Sequence, residues 1–355
     1  MTQNAPDTRL NSLAPVFKAS GDPLRLEILR VLERDTFGVL ELSHIFDMRQ
    51  SGMSHHLKVL SRAGLLEAQR EGNAIFYRRP LHGRDDSTSG AAVRQVFELV
   101  DRMPLAKERR DRIDAIRKQR ADQSQAFFAR HADQFREQQE LIAAFDRYAG
   151  PVTRLLRDHP DRTGWQRALE IGPGEGAFLD TLSELCTSVT ALDNSSDMLS
   201  RSEESCRQAG LDNVDFVLGS TDALAPDATT SYDLIVANMV LHHVASPAAI
   251  LSDSARLLAG GGTLIVSDLC RHDQNWARNA CGDLWLGFEP EELTAWAGDA
   301  GLDAGETLFI GLRNGFQIQV REFRKPSHTA TQGTSEKVSD AVKFEAHGAQ
   351  KARHT

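Results

Sequence analysis

The segment ALEIGPGEGAFLDTL, residues 168–182, constrains the chain more than any other. Apolar residues lead up to Glu170 as a strand would, and glycine then recurs at 172, 174 and 176 before a helical pattern begins. Glycine lets the backbone turn sharply and lets a ligand approach without a Cβ in the way. The next strand-like run, SVTALD, ends in Asp193, 21 residues after Gly172. A carboxylate there can take the two hydroxyls of a ribose, so the pattern fits a pocket for an adenosine-type cofactor. From Arg167 to about Phe323, ALEIG, SVTALD, VDFVL, YDLIVAN, GTLIVSD, ETLFIG and GFQIQVREF alternate with helix-like segments. That alternation predicts a parallel α/β sheet.

The other end of the chain follows a different pattern. Residues 11–34 predict two helices, with Asp22 as N-cap and Pro23 as first helical residue. A short helix over Val39–Phe46 is followed by a turn and a helix from about Gln50 to Arg62, ended by Gly64. LLEAQ and AIFYR then alternate as two strands around Glu71-Gly72-Asn73. Helix, turn, helix and hairpin make the layout of a winged helix-turn-helix. On the Gln50–Arg62 helix, Met53, Leu57 and Leu60 form the inward stripe. Gln50, Ser51, Ser54, His55, Lys58 and Arg62 form a small, polar and basic outward face suited to the major groove of duplex DNA. Lys58, Arg62 and the wing residues Arg70, Arg78 and Arg79 can neutralise phosphates. His56, at the edge of the stripe, is read as a packing residue.

Charge agrees with this division. The chain has 355 residues and a net charge of −9, yet residues 1–84 carry 12 Lys and Arg against 9 Asp and Glu. The remainder carries 29 against 41. A mildly basic head on an acidic body is compatible with a nucleic-acid-reading module joined to something else. The four cysteines, Cys186, Cys206, Cys270 and Cys281, form no CxxC and read as reduced thiols of a cytoplasmic protein. No charged-then-apolar leader and no apolar run of membrane-spanning length is visible, so no membrane partner is expected. The organisation expected is a winged helix-turn-helix over 1–84 and a helix plus charged helical linker over 85–125. An α/β domain over 126–325 and a disordered polar tail over 326–355 follow. Leu105–Gln125 is so densely charged that it reads as a solvated connector.

KASGDPLRLEILRVL, MSHHLKVLSRAGLLEAQREGNAIFYRR and the apolar helix after them resemble the ArsR-type winged-helix repressors. The resemblance implies operator DNA as partner and a homodimer paired through terminal helices. The stripe Val93, Val96, Phe97 and Val100 suits that pairing, or else plain intrachain core. The paired cysteines of the metal-sensing members are missing: Gly38 and Leu40 stand in their place. Val93–Met103 also lacks the Asp and His ligands of the other common site.

The E-x-G-x-G-x-G loop, Asn238 with the following MVLHHV, and the closing pair of strands resemble class I methyltransferases over roughly Phe127–Phe323. The fold implied is a Rossmann-like sheet of seven strands, the last antiparallel, and the cofactor implied is S-adenosylmethionine. Carried over, Glu170, Gly172, Gly174 and Gly176 line the methionine part of the cofactor. Asp193 takes the ribose, with Asn194 and Met198 beside the adenine. Thr221 or Asp222 approaches the adenine edge, although Ser220 stands where relatives have an acidic residue. Asn238 contacts the methionine end.

His242 and His243 then fall beside the cofactor mouth. His243, with His242, can be the base a methyl acceptor needs, or the two can simply pack or cap the next helix. After the fifth strand, Arg271, His272, Asp273, Trp276, Trp285 and Phe288 are candidates for an acceptor pocket. Cys270, His272, Cys281 and Asp283 match no zinc spacing, and no metal is assigned to them or to either histidine pair. The chain reads as a DNA-binding transcriptional regulator with a methyltransferase domain that methylates a small molecule. The alternative is a non-catalytic sensor of S-adenosylmethionine or S-adenosylhomocysteine that controls methyl-cycle genes. DNA methylation is disfavoured, because NMVLHH replaces the Asp-Pro-Pro-Tyr or Pro-Cys motifs.

Overall fold

A computed structural model describes residues 8–71, 74–80, 87–131, 135–224 and 231–327. The hairpin tip at Gly72-Asn73 and the polar tail beyond 327 lie outside the described residues. No helix among the described residues is long and apolar enough to cross a membrane.

The first unit comprises α1 (Thr8–Ser20), α2 (Pro23–Val31), β1 (Phe37–Gly38), α3 (Val39–Phe46), α4 (Gln50–Arg62), β2 (Glu67–Glu71) and β3 (Ala74–Arg78). Asp22 caps α2 by accepting from the Arg25 N–H at 3.0 Å, and Pro23 opens the helix where no N–H is needed. The three strands form an antiparallel sheet in the order β1-β3-β2. Two more helices, α5 (Thr88–Asp101) and α6 (Lys107–His131), complete this core. Val93, Val96, Phe97, Val100, Ile113 and Ile116 are all buried in it. The apolar stripe of α5 is thus intrachain packing. Leu99 and Met103, by contrast, remain exposed.

The second unit contains α7 (Phe135–Ile142), α8 (Phe145–Asp158), β4 (Arg167–Ile171), α9 (Leu179–Leu185), β5 (Ser188–Asp193), α10 (Ser196–Ala209) and β6 (Val214–Leu218). It continues with β7 (Tyr232–Asn238), α11 (Pro247–Leu257), β8 (Leu258–Leu269), α12 (Trp276–Cys281), α13 (Pro290–Asp299), β9 (Asp303–Gly311) and β10 (Gln317–Arg324). The sheet order is β6-β5-β4-β7-β8-β10-β9. Strands β4 to β8 pair in parallel, and β10 runs antiparallel to both its neighbours. Both faces of the central strands β4, β7 and β8 are covered, so these strands are apolar almost throughout and alternate residues serve different cores, whereas the edge strands β6 and β9 are partly exposed. Ala168, Leu234, Val236 and Ile265 meet α8 and α9, whereas Leu169, Ile235, Ala237, Leu264 and Val266 meet α11 and α13. The strand order reverses direction between β4 and β7, which opens a crevice at their carboxyl ends.

Helix α6 is not the solvated connector that its composition suggests. Arg120 and Ser124 are buried along with Ile113 and Ile116. Arg120 makes two hydrogen bonds to Glu41 of α3, at 2.9 and 2.7 Å, and donates to the carbonyls of Thr36 at 3.0 Å and Ala245 at 3.2 Å. Its guanidinium also lies over the rings of Phe37, Phe76 and Trp285. Asp35 joins the same seam, accepting from Arg117 at 2.5 Å and from the Ser246 hydroxyl at 2.6 Å. One helix therefore runs from the first core to the edge of the second.

Candidate functional site: a cofactor cavity and a DNA-facing helix

The crevice at the β4–β7 switch is a cavity of about 990 Å³. The loop after β4 forms one wall. Gly172 and Gly174 have φ of 67° and 60°, a region that disfavours any residue with a Cβ. A Cβ on Gly172 would lie 2.4 Å from Val240 Cγ2, so this position also keeps the loop tight against the β7 exit. Gly172 and Gly174 line the cavity, together with Glu170, Asp193, Asn194, Met198, Thr221, Asp222 and Asn238. Gly176 does not line it. A Cβ there would meet Ser202 Oγ at 2.8 Å, so this glycine serves the packing of the loop on α10.

The polar groups of the cavity suit a cationic, hydroxyl-rich guest. Burial pushes the Glu170 carboxyl up to about 8, and its Oε2 has no hydrogen-bond partner. Asn238 Nδ2, also buried and outside good hydrogen-bond geometry, is close enough to Glu170 to pull its pKa part of the way back down, while Asn238 Oδ1 accepts from Ser267 at 2.7 Å. Burial also raises Asp193, to about 6, against the pull of the Ser195 N–H at 2.8 Å. Ribose hydroxyls and an ammonium group would donate to Asp193 and Glu170, and an amino-acid carboxylate would accept from Asn238 Nδ2. The residues present thus fit S-adenosylmethionine.

His242 and His243 occupy a 3-10 turn directly after β7, and both are buried. They are not equivalent. His242 donates from Nδ1 to Asp268 Oδ1 at 2.8 Å. Burial opposes its charge, but Asp268 and Asp283 outweigh that and hold its pKa up at about 9. His243 lines the cavity and meets Phe128 of α6 edge-on at 4.9 Å. Burial and the neighbouring His242 push its pKa well below the usual value, so its imidazole is neutral at neutral pH.

Helix α6 forms a further wall that sequence reasoning missed. Asp114, Arg117, Lys118, Ala121, Ser124 and Phe128 face the cavity. Gln125 donates to the Asn194 carbonyl, beside the expected adenine site. The only sequence signal was an Ile113–Ile116 pair inside a charged run. The hydrogen-bond partners of Arg120 lie 79 or more residues away.

The residues expected to form an acceptor pocket after β8 are not gathered at this cavity; Trp285 and Phe288 instead edge a separate cleft of only about 20 Å³. None of Arg271, His272, Asp273, Trp276, Trp285 and Phe288 lines the cavity. Trp285 and Phe288 are buried in the α11–α13 core, and Trp285 packs edge-on against Phe76 of the first unit. His272 and Trp276 pack on Phe316, and Arg271 donates to the Arg70 carbonyl. The Cys270–Phe288 bridge folds this segment back onto the sheet and turns its aromatics inward.

On α4, Met53, Leu57 and Leu60 are fully buried, and Gln50, Ser51, Ser54, His55, Lys58 and Arg62 are exposed. Arg70 is exposed on the wing. Arg78 and Arg79 are corrections to the phosphate-contacting set. Arg79 makes a two-bond pair with Asp101 at 2.9 and 2.7 Å and is only 6 % exposed. Arg78 is held between Glu67 and Glu292. Both guanidiniums hold parts of the chain together instead of reaching outward.

Residues 169–266 match the family model described as a methyltransferase domain, and residues 21–69 match one described as a helix-turn-helix domain. Among curated proteins, the chain is 29% identical over 171 residues to the ubiquinone biosynthesis O-methyltransferase of Methylococcus capsulatus. That match covers 44% of this chain and 71% of the relative. The enzyme of the same name from Xanthomonas axonopodis pv. citri is 28% identical over the same shares. Among solved structures, N-methyltransferase NodS from Bradyrhizobium japonicum, in complex with S-adenosylhomocysteine, aligns with a TM-score of 0.41 at 18% identity. That alignment covers 54% of this chain and 98% of NodS. Magnesium protoporphyrin IX methyltransferase from Synechocystis, with bound S-adenosylmethionine, aligns at 0.41 and 17%, covering 51% and 79%. The chain joins a helix-turn-helix domain to an S-adenosylmethionine-dependent methyltransferase domain.

Proposed function

We propose that this chain is an ArsR-type transcriptional regulator that reads operator DNA through α4 and methylates a small molecule in its second domain. The observation that carries the enzymatic half is the cavity itself. At about 990 Å³ it lies at the upper end of the range for ligand pockets, with room for an acceptor beside the cofactor. It extends from the donor loop to a neutral His243. The names of the curated relatives favour an oxygen acceptor. In that reaction an oxygen lone pair forms the C–O bond as the S–C bond breaks. S-adenosylhomocysteine leaves, and the hydroxyl proton passes to His243. Positioning supplies most of the acceleration, and the base adds to it where the hydroxyl must lose its proton.

A second reading, that ligand occupancy itself controls DNA affinity, is favoured by α6. Ile113 and Ile116 pack it into the DNA-binding core, and Asp114, Arg117, Lys118, Ala121, Ser124 and Phe128 wall the cofactor cavity. A ligand can shift DNA affinity only by binding the two states of the chain unequally. A shared helix gives those states a physical link.

One titration tests both readings: fluorescence anisotropy on DNA from upstream of the gene, with and without S-adenosylmethionine or S-adenosylhomocysteine. A shift in affinity supports the sensor. No shift, with binding confirmed by calorimetry, leaves methylation as the function. Asp193→Ala is expected to weaken cofactor binding roughly 10- to 100-fold, as for a lost charged hydrogen bond, with DNA affinity unchanged in the absence of ligand. Unchanged calorimetric affinity would reject the pocket assignment. The exposed apolar residues Leu10, Phe17, Leu99 and Met103 on and beside α1 and α5 suit a homodimer face. Sedimentation equilibrium of a Phe17→Asp variant checks that reading.

A further inference from the structure

The fold brings a third group to the second histidine pair, and it is one the reaction above does not use. Asp283 lies forty residues beyond His243, in the turn after α12, and is 3 % exposed. Neither of its carboxylate oxygens has a hydrogen-bond partner. Its Oδ1 lies 3.9 Å from His242 Nε2 and 3.8 Å from His243 Nδ1, beyond hydrogen-bonding range. A buried carboxylate without hydrogen bonds is costly, and native structures rarely leave one so. One donor atom from each of the three residues lies within 4.8 Å of the others.

From this geometry we infer that His242, His243 and Asp283 form a binding site for a divalent transition-metal ion of the zinc class. Two imidazole nitrogens and one carboxylate oxygen are an ordinary donor set for such an ion. Bonds of about 2.0–2.2 Å place tetrahedral ligands roughly 3.3–3.5 Å apart, so the carboxylate must close on the two imidazoles from 3.9 and 3.8 Å, and the donor set as a whole from within 4.8 Å. The surroundings are also prepared. His242 Nδ1 donates to Asp268 Oδ1 at 2.8 Å, and Asp268 is held by the N–H groups of Leu241 and Leu269 at 2.8 and 2.7 Å. That carboxylate–histidine contact keeps a proton on Nδ1, so an ion would displace the Nε2 proton of the His242 imidazolium and take Nε2, which faces Asp283. His243 is the ligand that reaches the cavity wall. An ion on its Nδ1 would displace the 3.4 Å contact to the Gly282 carbonyl and leave the ring proton on Nε2, so His243 accepts the acceptor's proton in the metal-free chain and positions the acceptor as a donor in the metal-loaded one. The inference thus deepens the methylation reading at the acceptor end of the cavity and leaves the cofactor end untouched.

The test uses the full-length chain after chelator treatment. Calorimetry with zinc, and visible absorption with cobalt, are expected to show one ion per chain and a cobalt band of low-symmetry coordination. Asp283→Asn preserves size and is expected to weaken zinc binding 100-fold or more and remove the band. Asp268→Asn is expected to weaken it 10- to 100-fold, as for a lost outer partner. His243→Gln gives an independent check should Asp283→Asn fail to fold. Absence of saturable binding at one ion per chain would overturn the site, as would binding that survives both Asp283→Asn and His243→Gln. S-adenosylhomocysteine titrations run in parallel keep the two readings apart, since the cofactor site should bind equally well with and without zinc.

Discussion

The dipeptide His-His occurs twice, at 55–56 and at 242–243, and the fold treats its two copies in opposite ways. On α4, successive residues are separated by about 100°, so His55 points to solvent while His56 is half-buried against the helix stripe. After β7, a tight 3-10 turn buries both histidines between Asp268 and Asp283. The first pair is governed by helical phase, a local property. The second is governed by carboxylates that arrive from β8 and from the turn after α12.

The largest effect should come from His242→Ala, which leaves two buried aspartates without their cation. A loss of about 3–5 kcal/mol in urea unfolding of the second domain is expected. A loss under about 1 kcal/mol would mean the pair is less tightly bound into the core than its contacts imply.

The next concerns pH. Burial raises Glu170 from an ordinary carboxyl value to about 8, so the folded state holds its proton more tightly than the unfolded state. That contribution favours folding at low pH and is lost as pH rises from about 4.5 towards 8. Thermal melts between pH 5 and 8 should fall in the parent chain and fall less in Glu170→Gln; parallel profiles would exclude Glu170 as the source. The contribution of His242, also raised, has the same sign: it is full below its ordinary value and is lost as pH rises through about 9.

Smaller effects belong to the DNA-facing pair. Lys58→Ala should reduce the salt slope of operator binding by about 1 and weaken affinity across sequences. An unchanged slope would displace α4 from the groove. Smallest of all, His55→Ala should change folding stability by no more than about 0.5 kcal/mol, the ordinary range for an exposed side chain.

What the sequence disclosed follows the same division between local and distant causes. The glycine loop, Asp193 and the α4 stripe are fixed by neighbours within one turn or strand, and their residues could be named from spacing alone. The cavity gathers Glu170, Asp193 and Asn238 because strand ends in a parallel sheet converge on its switch point. Arginines defeated the reading. Arg79 and Arg120 look like solvated charge until Asp101 and Glu41, from other helices, are brought against them. Trp285 and Phe288 misled in the other direction: aromatic residues after a strand suggested a pocket, yet they fill the core. Asp283 meets the histidines because the N–H groups of Leu284 and Trp285, forty-odd residues on, donate to the His242 carbonyl at 2.9 and 3.1 Å.

The continuity of α6 has a consequence for how such a chain can change over generations. Surface loops accept insertions readily, because their ends move independently of what they connect. This helix cannot. Ile113 and Ile116 fix its rotation in one core, while Ser124 and Phe128 fix it at the cavity. One residue inserted between Ile116 and Arg120 would turn the far half by about 100° and take Phe128 away from His243. Two folds that look separable are therefore locked in phase. Exchange of either half with a relative can preserve both sites only where the helix keeps its length.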